Sequence, residues 1–227
     1  MSDPSGRRIE PFGERAVLVT LGDRLDLVVN ARARRLAEAV EAHRANDVRF
    51  GRPIPAAASV LVPFDPLSID SGEAVRIVAE LGALADVDDP SVDPASKRPA
   101  VEIEVRYGGP DGPDLAAVAE THGLRPDDIV ELHAGSTWTA MFLGFAPGFA
   151  YLGPLPPELA TARRATPRER VPAGSVAIGG DQTSVYPFSM PGGWQVIGHT
   201  DIVMWDLART QPNLLGPGDR VRFVPAR

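Results

Sequence analysis

The stretch from residue 175 to residue 188 reads Ser-Val-Ala-Ile-Gly-Gly-Asp-Gln-Thr-Ser-Val-Tyr-Pro-Phe, two short β-rich runs separated by glycine and polar residues. Runs of the same kind recur through the second half of the chain, divided by Gly and Pro. They are Val101–Tyr107, Thr137–Phe145, Ser175–Gly179, Thr183–Phe188, Trp194–Ile197, Ile202–Trp205 and Arg220–Val224. Strands this short and this regularly punctuated predict a closed or sandwiched β domain.

The first half of the chain has a different pattern, in which apolar strands are followed by amphipathic helices. Residues 16–21 predict a buried strand, and Asn30 is the predicted N-cap of the helix that follows it. Residues 59–64 predict a second strand, followed by a helix capped by Asp70 or Ser71. We therefore predict an α+β protein that begins with a small α/β sandwich in residues 1–95.

The boundary between the two patterns falls in an acidic, proline-containing segment. Residues 86–99 collect Asp and Pro with little apolar content, which is the composition of a linker. The length of 227 residues suits two small domains. We place the second domain, the β domain, in residues 98–227.

Composition excludes several classes of function. The chain has no cysteine, so disulfides, thiolate metal sites and cysteine nucleophiles are excluded, and its four histidines are too scattered to predict a bound metal. A formal net charge of -7 argues against nucleic acid or anionic lipid as a partner. No apolar stretch approaches the ~18 residues of a membrane span. We expect a cytoplasmic protein.

A predicted helix pair has the outline of a DNA-binding helix-turn-helix. The helices are Leu115–Thr121 and Asp127–His133, joined by residues 123–126. The second helix begins with two aspartates, which would place carboxylates where DNA phosphates approach. The charge therefore argues against DNA binding.

Two loop segments predict a ligand pocket. Residues 144–153 place three aromatic side chains among glycines and a proline, although a rigid turn over a core would need the same residues. Four arginines follow within eight residues: Arg163, Arg164, Arg168 and Arg170. Guanidinium groups suit a carboxylate or phosphate, whereas the alternative is a solvated loop. Arg168 and Arg170 are the stronger candidates, because they lie nearest the turn at residues 171–175.

Neutral groups and one histidine complete the candidate site. Gln182, Tyr186 and the loop of Gly192, Gly193 and Trp194 could hold an amide-bearing ligand. His133 is the candidate catalytic residue, because it ends the second predicted helix where a side chain could enter the pocket. Alternatively it caps that helix through its carbonyls. The chain has no Gly-x-Ser-x-Gly elbow, no phosphate loop and no dinucleotide-binding Gly-x-Gly-x-x-Gly.

An ordered set of motifs resembles the signature of the 5-oxoprolinase B-subunit family, which includes the sporulation-kinase inhibitor KipI and whose older name is allophanate hydrolase subunit 1. The motifs are Val105–Gly109, Gly112–Leu115, Leu132-His133, Gly144–Leu152, Arg163–Arg168, Val171–Ile178, Gln182, Tyr186-Pro187, Pro191–Trp194, Ile197-Gly198 and Gly218–Val221. The resemblance is strong over residues 100–227 and looser before them. Ala162 and His199 depart from it, because the family usually has proline and arginine there.

The resemblance implies a small α/β domain followed by a cyclophilin-like β-barrel, without prolyl isomerase activity. It implies two partners, namely a homologous barrel protein that forms the C subunit, together with a third protein that forms the A subunit. Such a complex hydrolyses 5-oxoproline to glutamate with ATP as co-substrate. Two alternatives remain open. One is a KipI-like inhibitor that binds a sensor histidine kinase, and the other is a subunit of a urea or allophanate pathway.

Overall fold

A computed structural model of the chain describes residues 7–85 and 99–226. The described residues divide into two compact units, one in each of these segments. The predicted linker, residues 86–99, lies outside the described residues apart from Pro99, so the domain boundary stays a prediction.

The first unit is an antiparallel four-stranded sheet covered by two helices. In chain order its elements are β1 (Arg8–Phe12), β2 (Ala16–Thr20), α1 (Leu27–Arg44), β3 (Ile54–Pro55), β4 (Ser59–Pro63) and α2 (Ser71–Ala85). The strand order is β1-β2-β4-β3. Val17 lies opposite Val62 and Val19 opposite Val60, so alternate side chains of both strands enter the core beneath the helices. The predicted α/β sandwich is confirmed.

The start of helix α1 corrects one prediction. Asp26, rather than Asn30, is the N-cap, and its Oδ1 accepts hydrogen bonds from the backbone N–H groups of Val28 and Val29 at 2.8 and 3.0 Å. Asn30 lies inside the helix, where its buried amide donates to the carbonyl oxygens of residues 56 and 57. The sequence alone does not distinguish an asparagine that caps a helix from one, such as Asn30, that hydrogen-bonds to a distant segment. At α2 the predicted cap Asp70 is confirmed, since its Oδ1 accepts from the Glu73 N–H at 2.9 Å.

The second unit is a closed seven-stranded barrel with a two-stranded ribbon beside it. The barrel strands are β5 (Val101–Tyr107), β6 (Thr137–Leu143), β7 (Ala150–Gly153), β9 (Ser175–Gly179), β10 (Gln182–Val185), β12 (Gln195–His199) and β13 (Arg220–Pro225). Their order is β10-β7-β6-β13-β5-β12-β9, and the ribbon pairs β8 (Arg168–Val171) with β11 (Met190–Gly192). Strands β5 and β13 run parallel, while the other barrel pairs run antiparallel. The predicted barrel is confirmed.

The suspected helix-turn-helix closes one side of the barrel core. It consists of α3 (Leu115–His122) and α4 (Pro126–Ala134). Val118 and Ile129 are buried with the barrel residues Ile103 and Phe223 in one apolar cluster. The apolar faces of the two helices are therefore used to complete the core of their own unit.

One predicted barrel strand, residues 202–205, is absent from the strands of residues 99–226. This segment forms only an isolated bridge between Trp205 and Asn213, although Met204 is buried. The barrel is closed, so within it no strand edge remains for a further strand to pair with. Residues 202–205 are as apolar as a barrel strand, so their composition alone predicts a strand although they do not form one.

Candidate functional site

A pocket of about 330 Å³ lies against the outer face of the barrel, beside the β8–β11 ribbon. Three chain segments form it: the loop between β6 and β7 with β7 itself, the basic segment before β8, and the residues around β11. Its lining is Phe145, Phe149, Tyr151, Arg163, Arg164, Pro167, Tyr186, Pro191, Gly192, Gly193 and Trp194.

The floor of the pocket follows from strand alternation. In β9, Val176 and Ile178 belong to the cluster inside the barrel, whereas Ala177 between them belongs to a second cluster outside it. Val196 of β12 joins Ala177 in that outer cluster. An apolar outer face is unusual for a barrel strand that meets solvent, and here it supports a layer of aromatic side chains.

Phe149 is the centre of this aromatic layer. It is 1% exposed, and its ring lies edge-on to the rings of Tyr151, Tyr186 and Trp194 at centroid distances of 5.0, 5.4 and 5.5 Å. Edge-to-face pairs at these distances are favourable beyond the area that they bury. The floor is therefore a packed, preformed surface on which an apolar ligand face can lie.

Tyr186 supplies a hydroxyl group beneath the glycine loop. Burial raises the pKa of this hydroxyl, and a hydrogen bond from the backbone N–H of Trp194 opposes that rise. The group is therefore protonated at neutral pH and can donate a hydrogen bond. A Cβ on Gly192 would overlap the Tyr186 hydroxyl, so only glycine allows this close approach.

Two of the predicted arginines line the pocket. The Arg163 guanidinium lies 5.8 Å from the centre of the Trp194 ring, within cation–π range. The backbone N–H of Arg164 donates to the Gly193 carbonyl at 2.7 Å, and its guanidinium donates to Asp114 at 3.0 Å. Among the described lining residues there are two arginines and no carboxylate, so the pocket favours an anion.

The other two arginines lie outside the lining, although both are the stronger candidates by sequence. Both belong to strand β8. Arg168 donates to both carboxylate oxygens of Asp114 at 2.8 Å. Arg170 is exposed, and its Nε donates to the Ser189 hydroxyl at 2.8 Å. The structure thus brings Arg163 and Arg164 together with the aromatic floor and directs the other pair elsewhere.

His133 lies in the barrel core and outside the pocket lining. Its Nε2 is 2.9 Å from Thr183 Oγ1 and its Nδ1 is 2.7 Å from the Tyr107 hydroxyl. Thr183 donates its own proton to the Ala177 carbonyl, so His133 Nε2 donates to Thr183 and Nδ1 accepts from Tyr107. Its ring also stacks on Phe223 at 4.4 Å. The ring contacts strands β5, β10 and β13 and does not cap the carbonyls of α4.

The surroundings of His133 keep it neutral. The side chain is fully buried, and this burial lowers its pKa from 6.5 to about 3. Both ring nitrogens are occupied by hydrogen bonds with other side chains. Neither is free to exchange a proton with a ligand in the pocket.

Gln182 also lies outside the pocket lining. It is half-buried in β10, opposite Gly179 of β9. Its buried Nε2 has no hydrogen-bond partner within residues 7–85 and 99–226.

Sequence reasoning missed the aromatic residues Phe145, Phe149 and Tyr151 as site residues, although the motif at 144–153 draws attention to their segment. Phe145 is the most unusual of them. It is 63% exposed at the pocket and has a φ of 67°, a left-handed conformation that is strained for a side chain of this size. Asp114 was missed too, although it lies in a motif of the resemblance.

In the part of the chain that the structure describes, no group of three or more His, Asp or Glu side chains could hold a metal ion. No described helix has both the length and the apolar character needed to cross a membrane.

The sequence from residue 7 to residue 215 defines the class of protein, one that contains a carboxyltransferase-type domain. The family described as "Carboxyltransferase domain, subdomain C and D" matches residues 7–215. The B subunit of 5-oxoprolinase from Bacillus subtilis strain 168 is 37% identical over an alignment 226 residues long, which covers 96% of this chain and 92% of that protein. The chain therefore belongs to the carboxyltransferase subdomain C and D family and, within it, to the 5-oxoprolinase B-subunit proteins.

A second relative matches a shorter part of the chain more strongly. The B subunit of 5-oxoprolinase from Escherichia coli O157:H7 is 59% identical over 127 residues, 56% of this chain and 58% of that protein. The matched part thus spans just over half the length of that relative.

Two solved structures share the fold. The crystal structure of TTHA0988 is 36% identical with a TM-score of 0.79, and the match covers 94% of this chain and 40% of that one. The Kluyveromyces lactis urea carboxylase is 22% identical with a TM-score of 0.76, covering 97% of this chain and 22% of that one. The second likeness concerns the fold alone. In both structures the matched part is the smaller share of a longer chain.

Proposed function

We propose that this chain is the B subunit of an ATP-dependent 5-oxoprolinase complex, in which it works with a homologous barrel protein, the C subunit, together with a third protein, the A subunit. The observation that carries the proposal is the pocket, which combines an aromatic floor with two arginines and, among the described lining residues, no carboxylate. The names of the relatives indicate the substrate, 5-oxoproline, which is a five-membered lactam that bears a carboxylate.

The lactam fits the pocket group by group. Its carboxylate pairs with the guanidinium of Arg163, with Arg164 beside it, since forked donors match a carboxylate. Its ring lies on the aromatic floor at the half-buried Tyr151. Its amide meets the Tyr186 hydroxyl. A cavity of about 330 Å³ is near the small end of ligand pockets, as a molecule of this size requires.

ATP is the co-substrate of the complex in this proposal. Its γ-phosphoryl group passes to the lactam oxygen, and water then adds to the activated carbon. The ring C–N bond breaks as the nitrogen takes a proton, leaving an acyl phosphate that a second water converts to glutamate and phosphate. The chain lacks both known phosphate-binding glycine motifs, so we assign the pocket to the organic acid rather than to ATP.

In this assignment the predicted catalytic role of His133 gives way to a structural one. Its two ring nitrogens hydrogen-bond to Tyr107 and Thr183 in the barrel core. The groups that activate water then come from the partner proteins. The isolated chain is accordingly expected to be inactive.

The test is an assay of 5-oxoproline-dependent ATP hydrolysis, run on the chain alone and on the chain co-expressed with its partners. We expect activity only in the complex. Robust turnover by the purified chain would contradict the proposed role within a complex. An assembled complex whose ATP hydrolysis ignores 5-oxoproline would contradict the substrate.

A regulatory function of the KipI type is the second candidate, and one observation favours it. Phe145, Val203 and Leu207 are exposed apolar side chains of the barrel unit, a feature that a kinase-docking protein would use. A pocket between arginines and aromatic rings is not needed for docking, and therefore supports the enzyme. Adding the chain to a sensor kinase autophosphorylation assay distinguishes the regulatory function from the enzymatic one.

The third alternative is a subunit of a urea or allophanate pathway. Offering urea and allophanate to the assembled complex in place of 5-oxoproline tests it.

A further inference from the structure

Asp114 is a buried carboxylate on which several parts of the pocket wall converge. It is 5% exposed. Its Oδ1 accepts from the guanidinium groups of Arg164 and Arg168 at 3.0 and 2.8 Å. Its Oδ2 accepts from Arg168 at 2.8 Å and from the backbone N–H of Val196 at 2.6 Å. Four donors fill the hydrogen-bonding capacity of a carboxylate.

The position of Asp114 in the fold would suit a different role. It precedes helix α3 as the N-cap residue, where an aspartate ordinarily accepts from the first turn. Its side chain makes no such capping hydrogen bond. Instead its backbone N–H donates to the Val196 carbonyl at 2.9 Å, which ties the residue to β12 while the carboxylate turns toward the arginines. The side chain therefore serves the pocket wall rather than the helix.

Arg164 is the residue through which Asp114 reaches the pocket. It contacts Asp114 and also lines the cavity, whereas Arg168 contacts Asp114 without lining it. The Arg164 backbone is held separately by Gly193 at 2.7 Å. One carboxylate shared by two guanidinium groups leaves an excess positive charge at the wall.

We propose that Asp114 is a positioning residue, which holds the Arg164 guanidinium at the pocket wall and thereby sets the affinity for the carboxylate of the substrate. This inference rests on the proposed function, in which that carboxylate belongs to 5-oxoproline. Arg168 supports the arrangement by binding both carboxylate oxygens of Asp114.

Removing the charge of Asp114 changes both the electrostatic field at the pocket wall and the position of the Arg164 side chain. These two changes predict opposite effects on the affinity for an anion. If only the electrostatic field matters, Asp114→Asn makes the wall more positive, and an anion binds more tightly. If position matters, Arg164 loses its fixed geometry and the anion binds more weakly, because a charge-assisted hydrogen bond depends on alignment. Position is expected to prevail, since Arg164 is partly open to solvent and the field there is screened.

The experiment is a double-mutant cycle in the reconstituted complex. Asp114→Asn and Arg164→Gln are each expected to raise the KM for 5-oxoproline about tenfold or more, with a smaller change in kcat. The double variant is expected to be no worse than Arg164→Gln alone. The matched control is Asp111→Asn, because that carboxylate pairs with Arg106 outside the pocket lining. Additive effects, or a lower KM in Asp114→Asn, would overturn the proposal.

A second measurement does not depend on the substrate. In the full-length chain labelled with ¹⁵N-arginine, rotation of the Arg164 side chain is expected to be slow and to become fast in Asp114→Asn. Unchanged rotation overturns the positioning role even if the complex is active. A wild-type complex without 5-oxoproline turnover refutes the proposed function while this measurement still decides the inference. If Asp114→Asn does not fold, Asp114→Glu takes its place, since its longer side chain also displaces Arg164.

Discussion

Arg163 and Arg170 belong to one basic segment but have different surroundings. Arg163 lines the pocket over Trp194, whereas Arg170 is exposed and bonds to Ser189. Losing a charge-assisted hydrogen bond costs ~1.5–3 kcal/mol, so Arg163→Gln is expected to raise the KM for 5-oxoproline roughly tenfold to a hundredfold. Arg170→Gln is expected to leave KM unchanged. Substrate saturation of the assembled complex measures the KM of both variants. Equal KM values would mean that Arg163 does not bind the substrate and that the basic segment is only a solvated loop.

His133 gives the barrel a specific dependence on pH. Its pKa falls from 6.5 to about 3 on folding because of burial, so the unfolded chain binds the extra proton between these values. The free energy of unfolding therefore rises with pH across this window. Above pH 6.5 the contribution of His133 to the free energy of unfolding is fully present. As the pH falls below 6.5, the free energy of unfolding decreases by about 1.4 kcal/mol per pH unit.

Urea unfolding between pH 5 and pH 7.5 tests this dependence. The three tryptophans, Trp138, Trp194 and Trp205, all lie in the barrel unit, so their fluorescence reports on its unfolding. His133→Gln is expected to flatten the slope, because its amide can face the same two partners without binding a proton. His43→Gln, on helix α1 of the first unit, is the control, because the tryptophans report on the other unit. A wild-type slope in His133→Gln would show that another group titrates.

Strand β11 and the loop after it contain adjacent glycines that provide a matched pair of substitutions. A Cβ on Gly192 would overlap the Tyr186 hydroxyl, whereas one on Gly193 would meet its nearest atom, in Pro167, at 3.6 Å. Tyr186 is 1% exposed and cannot move aside without disturbing the aromatic floor. Gly192→Ala is therefore expected to lower the free energy of unfolding by ~1–3 kcal/mol and to weaken substrate binding.

Gly193→Ala is the control for this substitution. Its Cβ contact is an ordinary one, so its free energy of unfolding is expected to stay within ~0.5 kcal/mol of the wild type. Denaturant unfolding followed by tryptophan fluorescence measures both variants. If Gly192→Ala is as stable as Gly193→Ala, the glycine is not needed for the approach to Tyr186.

The strands that sequence can predict are those with a local apolar pattern. The predicted runs Val101–Tyr107 and Ser175–Gly179 have the same ends as β5 and β9. Strand β8 was missed, because Arg-Glu-Arg-Val has no apolar alternation and its pairing with β11 is fixed by tertiary structure. Strand β7 lies inside a glycine-rich motif that indicates a turn.

Site residues, like strands, can be predicted from sequence only where a local feature of the sequence indicates them. Residue chemistry is enough to select Arg163, Arg164 and Trp194, since charge and aromatic area show in sequence. The role of Asp114 depends on arginines 50 and 54 residues further along the chain, which no local pattern reveals. Helix position does not tell whether a ring faces a pocket or the core, so the sequence could not reveal that the His133 ring lies in the barrel core.

Among the described residues, the two units share no hydrophobic cluster, and the main core of each is built from its own segment. The sheet and helices of residues 7–85 surround one cluster that includes Val17, Leu36 and Val62. The barrel surrounds another, which runs from Val101 to Phe223. Because each core closes within one segment, the two units are expected to fold separately.

Residues 98–227 are therefore expected to fold without residues 1–95. The fragment keeps all seven barrel strands, both helices and the pocket lining. It should unfold in one cooperative transition, followed by tryptophan fluorescence. A shorter fragment, 120–227, is the control, because it lacks β5, which joins β12 to β13 and closes the barrel. This opened barrel exposes two strand edges and part of its core, so it should not fold. A soluble 98–227 fragment without a cooperative transition would mean that the barrel depends on the first unit.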